Sequence, residues 1–181
     1  MLEVESKYRS PGNDKVEKAL ARLGARKTWS GAMEDVYYAH PSRDFGETDE
    51  ALRLRKTDEA SELTYKGPRM QSQTVKAREE ITLRTDNPLA VARIIERLGF
   101  SESFVVRKNR SSYMLDKLKV EVDDVEGLGE FVELEVLTES PDISTQLMET
   151  ARGELGLDRL EPRTYLEMLI EKMASERGKK Q

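Results

Sequence analysis

The chain has no cysteine and one histidine among its 181 residues. The first absence excludes disulfides, thiolate nucleophiles and zinc–thiolate centres, and it fits a cytoplasmic protein. The second leaves no pair of histidines for a metal site. His40, just before Pro41 in a polar stretch, reads as a surface loop residue rather than the base of a catalytic triad. No apolar run approaches the roughly 20 residues of a membrane-spanning helix. Met1 is followed almost at once by charges, so neither an anchor nor a cleaved leader is expected. A basic excess is lacking too: 30 Lys and Arg against 35 Asp and Glu give a formal charge of −5, which argues against nucleic acid as a partner. Any catalysis must therefore run on carboxylates, lysine, arginine and tyrosine, with or without a hard metal ion.

What is present is charge with a period. Charged residues make up 36% and hydrophobic residues 37% of the chain, and the apolar ones recur at regular spacing, so an ordered domain is expected. The length suits one domain over residues 1–174, with 175–181 as a frayed tail. Leu2 to Arg9 reads as a strand, and Pro11-Gly12-Asn13-Asp14 as a turn into a helix that Gly24 stops. Extended chain follows from Arg26 to Ala39, a polar loop from His40 to Glu50, and strands over Ala51–Lys56, Glu62–Lys66 and Arg78–Arg84. Asp86-Asn87-Pro88 opens a second helix, stopped by Gly99. Strands are predicted over Phe104–Arg110, Ser112–Leu115, Leu118–Asp123 and Phe131–Leu137, then helices from Pro141 to Leu155 and from Pro162 to Ala174. Arg22-Leu23-Gly24 and Arg97-Leu98-Gly99 lie 75 residues apart, and the same offset sets Glu5 on Glu80, Arg9 on Arg84 and Tyr38 on Tyr113. Either two similar halves each supply a sheet, or two common β-α patterns coincide.

Nearly every strand alternates charged with apolar residues. Glu3, Glu5, Lys7 and Arg9 share one side of the first strand; Arg53 and Arg55, Thr64 and Lys66, Lys108 and Arg110, and Glu133 and Glu135 share sides of later ones. Lys119, Glu121 and Asp123 likewise oppose Leu118, Val120 and Val122. One reading is a sheet with helices on its apolar face and water on the other. The other is a sheet of about eight strands that closes, with the charged face inside. Charge in an interior is costly unless it pairs or binds something. Acids there suit a hard divalent cation and bases a polyanion, so both together suit a metal-bridged polyphosphate.

Glu3-Val4-Glu5-Ser6-Lys7 resembles the ExExK signature of the CYTH, or triphosphate tunnel metalloenzyme, superfamily. The likeness continues through Leu52-Arg53-Leu54-Arg55, Tyr65-Lys66-Gly67-Pro68, Arg78-Glu79-Glu80, Lys108-Asn109-Arg110 and the stretch from Asp123 to Glu135. It implies an α+β fold built on a closed eight-stranded antiparallel barrel with helices outside, and Mg²⁺ or Mn²⁺ as cofactor. It implies metal ligation by Glu3, Glu5, Asp123, Glu133 and Glu135, with Glu80 a further candidate, and phosphate binding by Lys7, Arg53, Arg55, Lys66, Arg78, Lys108 and Arg110. Glu3, Glu5 and Lys7 are the implied catalytic set. Thr82 stands where many members carry a second acid on that strand. Glu161-Pro162-Arg163-Thr164-Tyr165 resembles a segment of the class IV adenylyl cyclase-like branch, which converts ATP to cyclic AMP and pyrophosphate. Other branches hydrolyse tripolyphosphate, thiamine triphosphate or nucleoside triphosphates, and a non-catalytic triphosphate-binding protein is a further alternative. The implied partner is a small-molecule triphosphate, with a homodimer compatible and neither membrane nor nucleic acid involved. Pro41–Glu50 and Pro68–Thr74 are candidate mouth segments for the group attached to the triphosphate.

Overall fold

A computed structural model describes residues 2–68, 70–71, 76–77, 79–138 and 141–178. Arg78 lies outside these residues, as does the side chain of Glu3 and most of the 68–74 segment. The chain forms two compact units, one of residues 1–30 and 108–181, the other of residues 31–107.

The first unit contains β1 (Leu2–Arg9), α1 (Asn13–Arg22) and the start of β2 (Arg26–Ala39). The second unit holds the rest of β2, then β3 (Ala51–Thr57), β4 (Ser61–Lys66), the short β5 (Met70–Gln71) and β6 (Lys76–Ala77), β7 (Glu80–Thr85) and α2 (Pro88–Arg97). β8 (Ser101–Leu115) leads back to the first unit, which continues with β9 (Leu118–Val125), β10 (Gly129–Thr138), α3 (Pro141–Leu155), β11 (Arg159–Leu160) and α4 (Tyr165–Gly178). In the first unit the antiparallel order is β11-β1-β10-β9-β8; in the second it is β2-β3-β4-β7. Among the described residues the sheet therefore has nine strands, with β11 and β7 at the two ends of the order, and β5 and β6 form a separate pair. This corrects the closed eight-stranded barrel: alternation reveals which face of a strand is polar, but not whether the last strand finds the first.

The repeat coincides with element boundaries. Shifted by 75 residues, α1 falls on α2 and the start of β2 on the start of β8. Each helix is stopped by glycine at positive φ, Gly24 at 77° and Gly99 at 95°, a backbone state that side chains with a Cβ rarely adopt. α2 begins as its sequence predicts, with the Asn87 side chain accepting from Ala90 N at 3.0 Å and Pro88 in the first turn. α1 differs, because its cap residue is Gly12 and the Glu130 carboxylate of β10 accepts from Asn13 N at 3.1 Å. β8 runs unbroken where two strands were expected. α4 starts at Tyr165 rather than Pro162 and runs to Gly178, past the expected end at Ala174.

In each unit a helix covers one sheet face. Val16, Ala19 and Leu20 of α1 and Met148, Ala151 and Leu155 of α3 pack on Val120, Val122, Val132, Leu134 and Val136. Each fully buried aliphatic side chain there contributes about 1.5–3 kcal/mol. In the second unit Ile95 of α2 packs with Val36, Tyr38 and Leu54. Among the described residues of this unit no second helix joins it, and Leu89, Ile94 and Leu98 of α2 and Ile81 and Leu83 of β7 are exposed. The charged rows occupy the opposite face in both units. Among the described residues no helix is long and apolar enough to cross a membrane.

Candidate functional site

Register explains how the first unit gathers its charges. Lys7 stands opposite Glu133, Glu133 opposite Glu121, and Arg110 opposite Asp123 on neighbouring strands, so these side chains leave one face. Arg110 is the hub. Its guanidinium donates to both carboxylate oxygens of Asp123 at 2.6 and 2.5 Å, to Glu133 at 2.6 Å, and to Glu121. Lys108 reaches Asp123 at 3.4 Å and Lys7 reaches Glu133 at 3.3 Å. All six side chains are buried, Asp123 completely. Three cations thus balance three carboxylates, which is what makes such burial tolerable.

The same balance fixes the proton affinities. Burial alone would raise the Glu133 carboxyl, but Arg110, Lys108 and Lys7 draw it far below the ordinary carboxylate range. Burial opposes the charge on Arg110, yet Glu133, Asp123 and Glu121 hold the guanidinium firmly protonated. Tyr165 is pushed well above its usual value, first by burial and then by Glu133 and Asp123, so it stays a phenol. Its hydroxyl donates to Asp123 at 2.8 Å.

Next along the same face, Glu5 stands directly opposite Glu135. Like charges placed so disfavour pairing unless a cation lies near. Lys119 meets Glu135 at 2.9 Å and also Glu121 at 2.9 Å. Among the described residues no three acids are gathered as a metal centre, because they are turned onto basic side chains. As a donor set, though, Glu5, Glu133 and Glu135 offer only carboxylate oxygens from adjacent strands, which fits a hard divalent cation.

The second unit builds a smaller site around Asp35 of β2. Arg55 donates to its two oxygens at 2.6 and 2.8 Å, and an Arg53 nitrogen lies 3.9 Å away. The buried Nε of Arg53 has no hydrogen-bond partner among the described residues. Lys66 pairs with Glu80 at 2.7 Å, and Thr82 shares a hydrogen bond with Thr64 at 3.1 Å instead of supplying an acid. His40 closes its own loop, its Nδ1 accepting from Ser42 N and Arg43 N at 3.1 Å each.

Of the residues singled out from the sequence, the structure brings Lys7, Lys108, Arg110, Asp123 and Glu133 together and sets Glu5 opposite Glu135. Sequence reasoning left out Glu121, although that residue shares the Asp123 row, and it left out Asp35, an acid facing two arginines only through the β2–β3 register. Tyr165 has no strand alternation to reveal it.

The first unit thus carries balanced acids and bases on one sheet face, and the second an arginine pair around Asp35. Residues 1–165 match the CYTH domain, and the chain belongs to that family. It is 36% identical over 173 residues to a Methanocaldococcus jannaschii protein named as a candidate adenylate cyclase, covering 93% of this chain and 98% of that one. It is 31% identical over 173 residues to the adenylate cyclase CyaB of Aeromonas hydrophila, covering 91% and 86% respectively. The PH1819 protein of Pyrococcus horikoshii OT3 shares the fold with a TM-score of 0.82 at 36% identity, over 94% of this chain and 99% of that one.

Proposed function

We propose that this protein is a divalent-metal-dependent enzyme that converts ATP to cyclic AMP and pyrophosphate, acting in the cytoplasm on a small-molecule triphosphate. The observation that carries the reading is the buried, charge-balanced set of Lys7, Lys108 and Arg110 with Glu121, Asp123 and Glu133. A polyanion alone would strip the acids of their partners, and a metal alone would do the same to the bases. A metal–triphosphate pair satisfies both sets at once.

In this reading Glu3, Glu5, Glu133 and Glu135 hold Mg²⁺ or Mn²⁺, with Asp123 and Glu80 as further candidates. The ion supplies charge neutralisation on phosphate oxygens. Lys7, Lys108 and Arg110 in one unit, and Arg53, Arg55 and Lys66 in the other, bind phosphate oxygens, with Arg78 in the same role. Arginine offers paired donors and lysine compact charge. The ribose 3′-hydroxyl attacks the α-phosphorus; its oxygen forms the new bond as the bond from the α-phosphorus to the α–β bridging oxygen breaks, its proton passes to solvent water and pyrophosphate departs. The side chains hold the chain of phosphates still and stabilise the charge on the leaving group.

The test is product analysis with ATP, tripolyphosphate and thiamine triphosphate in Mg²⁺ or Mn²⁺. Cyclic AMP and pyrophosphate are expected; orthophosphate with no cyclic product assigns the protein to triphosphate hydrolysis instead. Glu5→Gln should lower turnover at least about a hundredfold while circular dichroism stays that of the parent.

A further inference from the structure

The lysines of the first unit stand farther from their carboxylates than Arg110 does, and Lys7 Nζ also donates to the Arg163 carbonyl at 3.2 Å. Lys7 stands 3.3 Å from Glu133 and Lys108 stands 3.4 Å from Asp123, whereas Arg110 contacts the same two acids at 2.5–2.6 Å. Charge-assisted N–H···O bonds ordinarily close to about 2.7–2.9 Å. Both ammonium groups lie over the ring of Tyr165, Lys7 Nζ at 4.3 Å and Lys108 Nζ at 4.8 Å from its centroid. Both distances are within the range at which an aromatic face attracts a cation.

Tyr165 is fixed in this place by its surroundings. It is the first residue of α4, whose start is set by a reciprocal pair: the Thr164 hydroxyl accepts from Glu167 N at 3.1 Å, and the Glu167 carboxylate accepts from Thr164 N at 2.6 Å. Upstream, β11 pairs with β1 through Leu160 and Tyr8, and Glu161 N donates to Lys7 O at 2.8 Å. Phe131 meets the ring edge-on at 5.1 Å. The ring therefore reaches the lysines from a segment tied to the strand that carries Lys7.

We propose that Tyr165 is a positioning residue for the phosphate-binding lysines: its ring draws the ammonium groups of Lys7 and Lys108 away from Glu133 and Asp123, so that both present donors to an incoming triphosphate. This rests on the reading that these lysines contact phosphate. Tyr165 supplies no proton and touches no reacting atom. Its hydroxyl orients Asp123 toward Arg110, and its face sets the lysine positions.

The experiment compares the parent with Tyr165→Phe, Tyr165→Leu, Lys7→Ala and Lys108→Ala, each checked for fold by circular dichroism. Inorganic tripolyphosphate with Mg²⁺ is the calorimetric probe, and NMR reads the ε-methylene protons of both lysines. In the parent these protons should be shifted upfield by the ring. Tyr165→Phe should keep that shift and bind within about threefold, while Tyr165→Leu should lose it and bind at least about tenfold more weakly. Parent-like binding by folded Tyr165→Leu, equal losses in the Phe and Leu variants, or no ring shift in the parent each overturns the proposal. Parent-like binding by both lysine variants instead removes the underlying phosphate reading, whatever the ring shifts show.

Discussion

The two units build equivalent strand pairs with opposite charge. In the second unit Asp35 of β2 faces Arg55 of β3; in the first, Arg110 of β8 faces Asp123 of β9. Asp35 and Arg110 are 75 residues apart, the repeat offset, so the same position in each half carries the opposite sign. The neighbouring positions follow suit, with Arg53 opposite Tyr37 and Glu121 opposite Ser112. One half thus surrounds a guanidinium with three acids, and the other surrounds a carboxylate with two guanidinium groups. A single β-α-β scaffold carries either an acid-rich or a base-rich face because the sheet only requires that charge stay off the helix-covered side. Function then rests on which sign each strand presents.

The largest effect should come from the hub of the acid-rich half. Arg110→Met leaves Glu121, Asp123 and Glu133 buried without their main partner and should cost about 3–5 kcal/mol in denaturant unfolding. Added Mn²⁺ should return part of that loss, since the acids could then take a metal; no rescue would count against them as ligands. The base-rich half should respond unequally. Arg55→Met deprives buried Asp35 of its closest contact and should cost about 2 kcal/mol. Arg53→Met removes a guanidinium with an unsatisfied nitrogen and should cost less than about 1 kcal/mol, while weakening tripolyphosphate binding about tenfold. Equal stability losses for the two arginines would erase the distinction between structural and ligand-facing cations.

A smaller effect concerns acid. Hydrogen bonds from Arg163 lower the Glu161 carboxyl from 4.5 to about 2, even though burial opposes this. A depressed carboxylate stabilises the folded state above its unfolded value and loses that contribution as the pH falls toward the folded one. Stability should therefore decline from about pH 4.5 toward pH 2 in the parent, and Glu161→Gln should flatten part of that decline in unfolding curves. Smallest of all, Ile94→Lys on the exposed face of α2 should change stability by less than about 0.5 kcal/mol. A clear loss would mean that this face is covered in solution, unlike the α1 face, which α3 and the sheet already bury.

Much of this arrangement was legible before any coordinates. The alternation of Glu5 with Val4 and Ser6, or of Arg110 with Asn109 and Ser111, states which side chains leave the same face. The spacing of Leu23-Gly24 and Leu98-Gly99 marks two helix ends in a repeat. The sequence resemblance, too, was strong enough to bring together Lys7, Lys108, Arg110, Asp123 and Glu133. Those features depend on neighbours a few residues away, or on motifs in order, and so they survive without a fold.

By itself, then, the sequence determined the strand faces, the ends of the two repeated helices, the family and the chemical character of a site made of carboxylates and bases with no thiol or imidazole. Only the tertiary structure decided the partnerships. Register made Arg110 the hub of three acids, set Asp35 against two arginines, left β7 and β11 at the two ends of the strand order, and brought Tyr165 from a helix start to lie beside two lysines. The reason is physical: alternation is a local property of one strand, whereas register, closure and the reach of a side chain from another element depend on how distant segments compete for the same partners.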